Sequence, residues 1–213
     1  MSIVTCHQSI SVDGFTAGPN QTLDNPIGEG GMRLHEWMFE TAAWRRMQSL
    51  PPIPDTPDSV LVGELASNPH VGAYVMGRHM FDHGRGEWDE SWKGWWGDNP
   101  PYHVPVFVLT HHRRDPLPME GGTTFFFVTD GIESALRRAR EAAGDKNVQI
   151  AGGANTIQQT LRAGELDELN LHIVPIVLGA GERLLQDVGD LKMTPVSVVA
   201  SPKVTHVKYR IDH

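Results

Sequence analysis

Residues 148–161, VQIAGGANTIQQTL, join a short apolar run to two glycines and then to a pattern of helical period. That order reads as a strand, a tight turn and the start of a helix. At Gly152 and Gly153 a side chain would stand between the backbone and anything approaching it, and glycine leaves that approach open. The first turn of the following helix carries amide N–H groups without an intrahelical acceptor, and the positive end of the helix dipole lies at the same point. Such a corner can hold a phosphate, although a sharp strand-to-helix turn uses the same two glycines with no ligand at all.

Other strand ends carry compatible chemistry. Ser2 to Val12 reads as a strand ending at the turn pair Asp13-Gly14, so Asp13 is either a polar group at the mouth of a site or the residue that forms the turn. Val71 to Met76 reads as a buried strand ending at Gly77-Arg78, where the arginine can reach an anion or cap a carbonyl. Val104 to Thr110 reads as a third, followed by His111-His112-Arg113-Arg114. A basic cluster there suits the 2′-phosphate of a nucleotide ribose, and it would also serve as a solvated turn. Ligands collect at strand ends in open α/β sheets, so these signals, each weak, reinforce one another.

The rest of the chain supplies the frame. Leu34, Trp37, Met38, Thr41 and Trp44 predict one amphipathic helix over Arg33–Gln48, with Glu36 and Glu40 projecting away from its apolar stripe. Prolines 51, 52 and 54 force a connector, after which a second helix starts at Asp55 or Pro57 and runs to about Ser67. The stretch from Gly84 to His103 carries Trp88, Trp92, Trp95 and Trp96, which either cover a flat ligand or form a satellite core. Thr123 to Val128 predicts a strand, and Asp130 with Glu133 a capping box for the helix through Ile132, Leu136, Ala139 and Ala143. Gly164 caps the helix that begins after Gly153. A strand over Leu169–Val177 breaks at Leu178-Gly179-Ala180-Gly181, and the segments Thr194–Ala200 and Lys203–Ile211 close as an antiparallel pair. The sum is an α/β domain with a mostly parallel sheet and an antiparallel finish.

Composition narrows the function. The chain has 213 residues, with 18 basic against 26 acidic side chains and net charge −8, which argues against nucleic acid and anionic membrane as partners. Cys6 is the sole cysteine, so neither an internal disulfide nor a cysteine-based zinc site is available, and a reducing cytoplasm is the expected compartment. No apolar run reaches about 18 residues. His79 and His83 are spaced i,i+4, but the glutamate of an H-E-x-x-H helix is missing and no third ligand is indicated, so no metal site is expected. The G-x-S-x-G elbow and the G-x-G-x-x-G fingerprint are absent, and Gly179-Ala180-Gly181 reads as a bend.

Taken together, SVDGFTAG (11–18), YVMGRHMFD (74–82), VFVLTHH (106–112), VQIAGGANTIQQTL (148–161) and HIVPIVLGAG (172–181) resemble the dihydrofolate reductase-like family that includes the C-terminal reductase domain of bacterial riboflavin biosynthesis proteins. The resemblance covers nearly the whole chain as one domain, apart from an insertion-like region at about 28–67. It implies an eight-stranded, mostly parallel sheet and NADPH as hydride donor. By position it assigns Gly77, Arg78, Thr110, His111 and His112 to the adenosine phosphate side, and Gly152, Gly153, Ala154 and Asn155 to the diphosphate. The outward setting of Glu36 and Glu40 departs from the carboxylate that holds a pterin, and one cysteine cannot supply the fused zinc deaminase of the riboflavin pathway. The expectation is a stand-alone NADPH-dependent reductase of a small heterocyclic or sugar-like carbonyl or imine compound, with Asp13 or an ordered water as proton source. The alternative is a nucleotide-binding module on the same fold without the chemistry. A homodimer through the exposed sheet or the C-terminal strands is compatible with either.

Overall fold

The computed structural model describes residues 2–66, 68–84 and 86–213. In chain order its elements are β1 (Val4–Ser11), β2 (Phe15–Ala17), α1 (Glu36–Phe39), α2 (Ala42–Met47), α3 (Pro57–Ala66), β3 (Val71–Gly77), β4 (Pro105–Leu109), β5 (Leu117–Pro118), β6 (Thr124–Val128), α4 (Ile132–Ala143), β7 (Asn147–Gly152), α5 (Ala154–Arg162), β8 (Glu168–Val174), β9 (Glu182–Arg183), β10 (Lys192–Ala200) and β11 (Thr205–Asp212). One nine-stranded sheet has the order β10-β11-β8-β1-β7-β3-β4-β6-β5, and β2 pairs with β9 apart from it. From β8 through β6 all neighbours run parallel. The β10–β11 pair joins β8 antiparallel, and β5 joins β6 antiparallel at the other edge.

The expected eight strands are therefore nine. The added one, β5, is two residues long and contains Pro118, too short to leave a period-2 pattern in sequence. The main core forms where α4 and α5 cover one sheet face. Ile132, Ala135, Leu136, Ala139 and Ala143 of α4 are buried at the spacing of a single helical face, and Ile157 and Leu161 of α5 pack with Val148 and Ile150 beneath them. Burying one such side chain contributes about 1.5–3 kcal/mol. Gly164 turns the chain after α5 with φ 66°, and the amides of Gly164 and Glu165 return to the carbonyls of Leu161 and Thr160.

Two local expectations fail. The helix predicted over Arg33–Gln48 is broken into a 3₁₀ turn at Gly31–Leu34 and the separate helices α1 and α2. The break is at Thr41, which adopts an extended conformation and accepts the Trp44 amide at 3.2 Å on its side chain, so the residue read as part of the stripe is a cap. Leu34, Trp37, Ala43 and Val62 still bury together against Val174 and Val204. The capping box at Asp130 is absent. Gly131 holds the cap position with φ 94°, and Asp130 instead accepts from Ser134 Oγ and Arg138. The expected end of α3 at Ser67 lies outside the described residues.

Candidate functional site

Because β7, β3 and β4 are adjacent and parallel, their C-terminal ends lie side by side. Met76 is registered with Gly152, and Gly77 with Leu109. The structure therefore brings Gly77-Arg78, Thr110 and Gly152-Gly153 to one sheet edge, with the first turn of α5 rising from it. A Cβ on Gly77 would lie 2.6 Å from Thr156 Oγ1, so glycine there lets the start of α5 close onto the end of β3. Gly152 has φ 120°, a conformation that L side chains rarely adopt, and the Gly152–Gly153 peptide is cis. Gly153 is different: its φ is −74° and nothing lies within 4 Å of where its Cβ would be. Its carbonyl accepts the amides of Thr156 and Ile157 at 3.0 and 3.2 Å, and the amides of Ala154 and Asn155 precede any intrahelical acceptor. Open space at Gly153 thus adjoins two first-turn amides that have no acceptor among the described residues.

Arg78 flanks that corner from β3. Its side chain is 10 % exposed, its guanidinium lies 3.9 Å over the Trp88 ring, and Nη2 donates to Asp82 at 3.1 Å. Nε and Nη1 are buried with no partner among the described residues. A buried guanidinium with two idle donors suits an anionic ligand, since leaving such groups unsatisfied is costly.

Thr110, His111 and His112 divide in their roles. The Thr110 hydroxyl accepts the His112 amide at 3.1 Å and closes the turn, and His112 Nδ1 lies 3.1 Å from Glu87. His111 is exposed. Arg114, not singled out from the sequence beyond its basic run, is nearly buried with Nη1 unpartnered among the described residues, and donates to the carbonyls of Glu90 and Trp92. With Arg113, Thr129, Asp130 and Arg138 it lines a depression of about 570 Å³ beyond β4 and β6. The tryptophan stretch is pinned to the body. Trp88, Trp92 and Trp95 each donate an indole N–H to a backbone carbonyl, of His112, Phe81 and His79 in turn, while Trp96 is exposed. Trp88 and Trp92 pack against Phe81 and Phe125, which supports the satellite-core reading.

Asp13 has a different task from the one expected. Its carboxylate accepts from Ser11 Oγ at 2.6 Å, Gly179 N at 2.7 Å and Leu178 N at 3.1 Å, and its carbonyl accepts from Arg183. The Ser11 hydroxyl, followed by those two amides, holds its pKa down to about 2. A carboxylate so held is ionised at neutral pH and has no proton to give. The Gly179-Ala180-Gly181 bend is the loop this carboxylate ties down. His79 and His83 share no helix, because the turn there is a 3₁₀ segment over Arg78–Met80. Among the described residues no group of three His, Cys, Asp or Glu side chains is placed to hold a metal, and no helix is long and apolar enough to cross a membrane.

The sequence missed Gln8 and Met80. Gln8 Oε1 and Met80 Sδ would each lie 3.6 Å from a Cβ on Gly152, so both border the glycine corner; Gln8 stands in no motif, and Met80 lies inside YVMGRHMFD without a role assigned to it.

A family model described as the RibD C-terminal domain matches residues 2–207. No curated protein sequence is detectably similar to the chain. Among solved structures, a protein ascribed to riboflavin biosynthesis from Shewanella sp. PV-4 is 21 % identical with TM-score 0.63, covering 99 % of both chains. Dihydrofolate reductase from Enterococcus faecalis, complexed with NADP(H) and RAB-propyl, is 13 % identical with TM-score 0.53, covering 99 % of this chain and 97 % of that one. A diaminohydroxyphosphoribosylaminopyrimidine deaminase/5-amino-6-(5-phosphoribosylamino)uracil reductase from Thermotoga maritima is 15 % identical with TM-score 0.52, and the match spans 99 % of this chain but 57 % of that one. The fold they share with this chain is the dihydrofolate reductase-like fold.

Proposed function

This chain belongs to the RibD C-terminal domain family, and from that premise we propose that it is an NADPH-dependent reductase of a small heterocyclic carbonyl or imine compound, with phosphoribosylamino-pyrimidines as the first class to try. The observation that supports the reading is the open space at Gly153 beside the first-turn amides of Ala154 and Asn155, with Arg78 following the adjacent end of β3 and its Nε and Nη1 without a partner among the described residues. The amides and the helix dipole would hold the cofactor diphosphate. Arg78, seated by Trp88 and Asp82, would take the phosphate of the adenosine half, with Thr110, His111 and His112 along the same side. The nicotinamide supplies a hydride when bound. Gln8 and Met80 border the corner at Gly152, and Asp13 fixes the loop from Leu178 rather than moving a proton.

The test is direct. Titration of NADPH against intrinsic tryptophan fluorescence should saturate, and NADPH should be oxidised when 5-amino-6-(phosphoribosylamino)uracil or a related pyrimidine is added. Absence of binding at millimolar NADPH would overturn the reading. Binding without oxidation against pyrimidines, pterins and quinones would favour a nucleotide-binding module on this fold.

A further inference from the structure

With Asp13 ionised, the reductase reading has no side chain assigned as proton donor, and the other face of the sheet holds a line of groups able to be one. Ser9, His172 and His206 are registered across β1, β8 and β11, and His7 stands two residues before Ser9 on the same face. Asp58 Oδ1 of α3 lies 3.0 Å from His206 Nε2, His206 Nδ1 lies 3.0 Å from His172 Nδ1, and His172 Nε2 lies 3.4 Å from His7 Nδ1. The His7 and His172 ring centroids are 5.5 Å apart, farther than their nearest nitrogens, so the nitrogens lie between the rings. His172 is 3 % and His206 9 % exposed, while His7 is only half-buried and lies level with the end of β7, on the sheet face opposite to that from which Gln8 borders Gly152. No hydrogen bond to His7 Nε2 is present among the described residues.

We propose that Asp58, His206, His172 and His7 form a proton relay ending at His7 Nε2, which delivers the proton that accompanies hydride transfer. His7 is the catalytic residue and the other three are positioning residues. This rests on the reductase reading above. The geometry fixes the polarity of the line. A carboxylate facing His206 Nε2 requires N–H there. In a neutral line His206 Nδ1 is then an acceptor, His172 and His7 are both protonated at Nδ1, and His7 Nε2 presents a lone pair. One added proton reverses every link: His206 becomes an imidazolium beside Asp58, its Nδ1–H donates to His172, His172 Nε2–H donates to His7, and His7 presents N–H. In the reaction the hydride brings two electrons to the electrophilic carbon and its double bond to oxygen or nitrogen opens. That heteroatom takes the proton from His7 Nε2, each ring passes one along, and the line returns to its neutral polarity.

The surroundings favour storage at the Asp58 end. Burial, with Lys208 and His206 adding repulsion, pushes His7 down to about 4, and burial with His7, His206 and His35 pushes His172 down as well. Lys208 is itself paired with Glu168 at 3.0 Å, and Trp37 of α1 packs T-shaped against His206, with ring centroids 5.0 Å apart.

Nuclear magnetic resonance of the histidine ring nitrogens on the whole protein, titrated in the absence of substrate, tests the line. The expected result is the Nδ1–H form at both His7 and His172 at alkaline pH, and one shared transition that switches all three rings as the pH falls. Asp58→Asn should move that transition to lower pH by about one unit or more. Three independent transitions, or His7 in the Nε2–H form at alkaline pH, would overturn the relay even if NADPH binds. With 5-amino-6-(phosphoribosylamino)uracil as probe, kcat should fall as pH rises through the same transition, His7→Gln should lower kcat about 100-fold or more, and Asp58→Asn should displace the pH profile with the ring transition. Turnover with unchanged pH profiles in both variants would overturn delivery by this route. The ring titration needs no turnover, so a wrong choice of substrate cannot be mistaken for failure of the relay.

Discussion

Asp13 Oδ2 accepts the backbone N–H of Gly179 at 2.7 Å across 166 positions of sequence, tying the end of β1 to the loop beyond β8. That carboxyl is lowered to about 2, so its contribution to stability is complete above its ordinary value of 3.8 and is lost as the pH falls toward 2. Asp13→Asn should lower the thermal midpoint at pH 7 by a few degrees and should lose less further stability between pH 4 and pH 2 than the parent does. Thermal denaturation followed by circular dichroism at the three pH values checks this. Equal acid sensitivity in both proteins would remove Asp13 from its clamping role.

Gly152 and Gly153 are adjacent but should respond in opposite ways to alanine. Gly152→Ala forces a side chain onto φ 120° and should cost about 1–3 kcal/mol of stability. Gly153→Ala meets no atom of the described residues within 4 Å and should change stability by about 0.5 kcal/mol or less, yet weaken NADPH binding about tenfold or more by occupying the space proposed for the diphosphate. Denaturant titration paired with NADPH titration separates the two effects.

Gly77→Ala should destabilise by about 1–3 kcal/mol, because its Cβ meets Thr156 Oγ1. Thr156→Ala removes that oxygen, so the double variant should be more stable than the sum of the single effects predicts. A double-mutant cycle in urea measures the coupling.

Arg78→Ala should weaken NADPH binding by about 1.5–3 kcal/mol, or roughly 10- to 150-fold, by removing charge-assisted hydrogen bonds to phosphate. Comparison with NADH locates the contact. A loss confined to NADPH places Arg78 at the ribose phosphate, and equal losses place it at the diphosphate.

Cys6 is fully buried, and burial pushes its thiol up to about 12. Thiol reagents should label it only as fast as the protein unfolds. Rapid labelling of the native protein would contradict its placement in the core of the sheet.

Much of the frame was legible from sequence because strand and helix periods leave local traces. The buried runs at Val71, Val106 and Val148, the amphipathic face of α4 and the glycine after α5 are each set by neighbours a few residues away. The break at Thr41 was not legible, because an apolar stripe cannot report that one of its members turns extended to cap the next helix. The absent capping box has a similar cause: Asp130 had two partners within reach, and the positive φ of Gly131 left it with Ser134 and Arg138 rather than the helix amides.

The sequence by itself determined the glycine corner, because Gly152, Gly153 and the start of α5 are contiguous and their chemistry lies in the backbone. Only the tertiary structure decided what Asp13 does, that Arg78 lies under Trp88 with idle donors, and that His7, His172 and His206 line up behind Asp58. The Asp13 clamp and the histidine line depend on strand order and register, which place residues 34 to 166 positions apart within one hydrogen bond of each other. No local pattern encodes such distances, since each partner is chosen by the packing of the whole sheet.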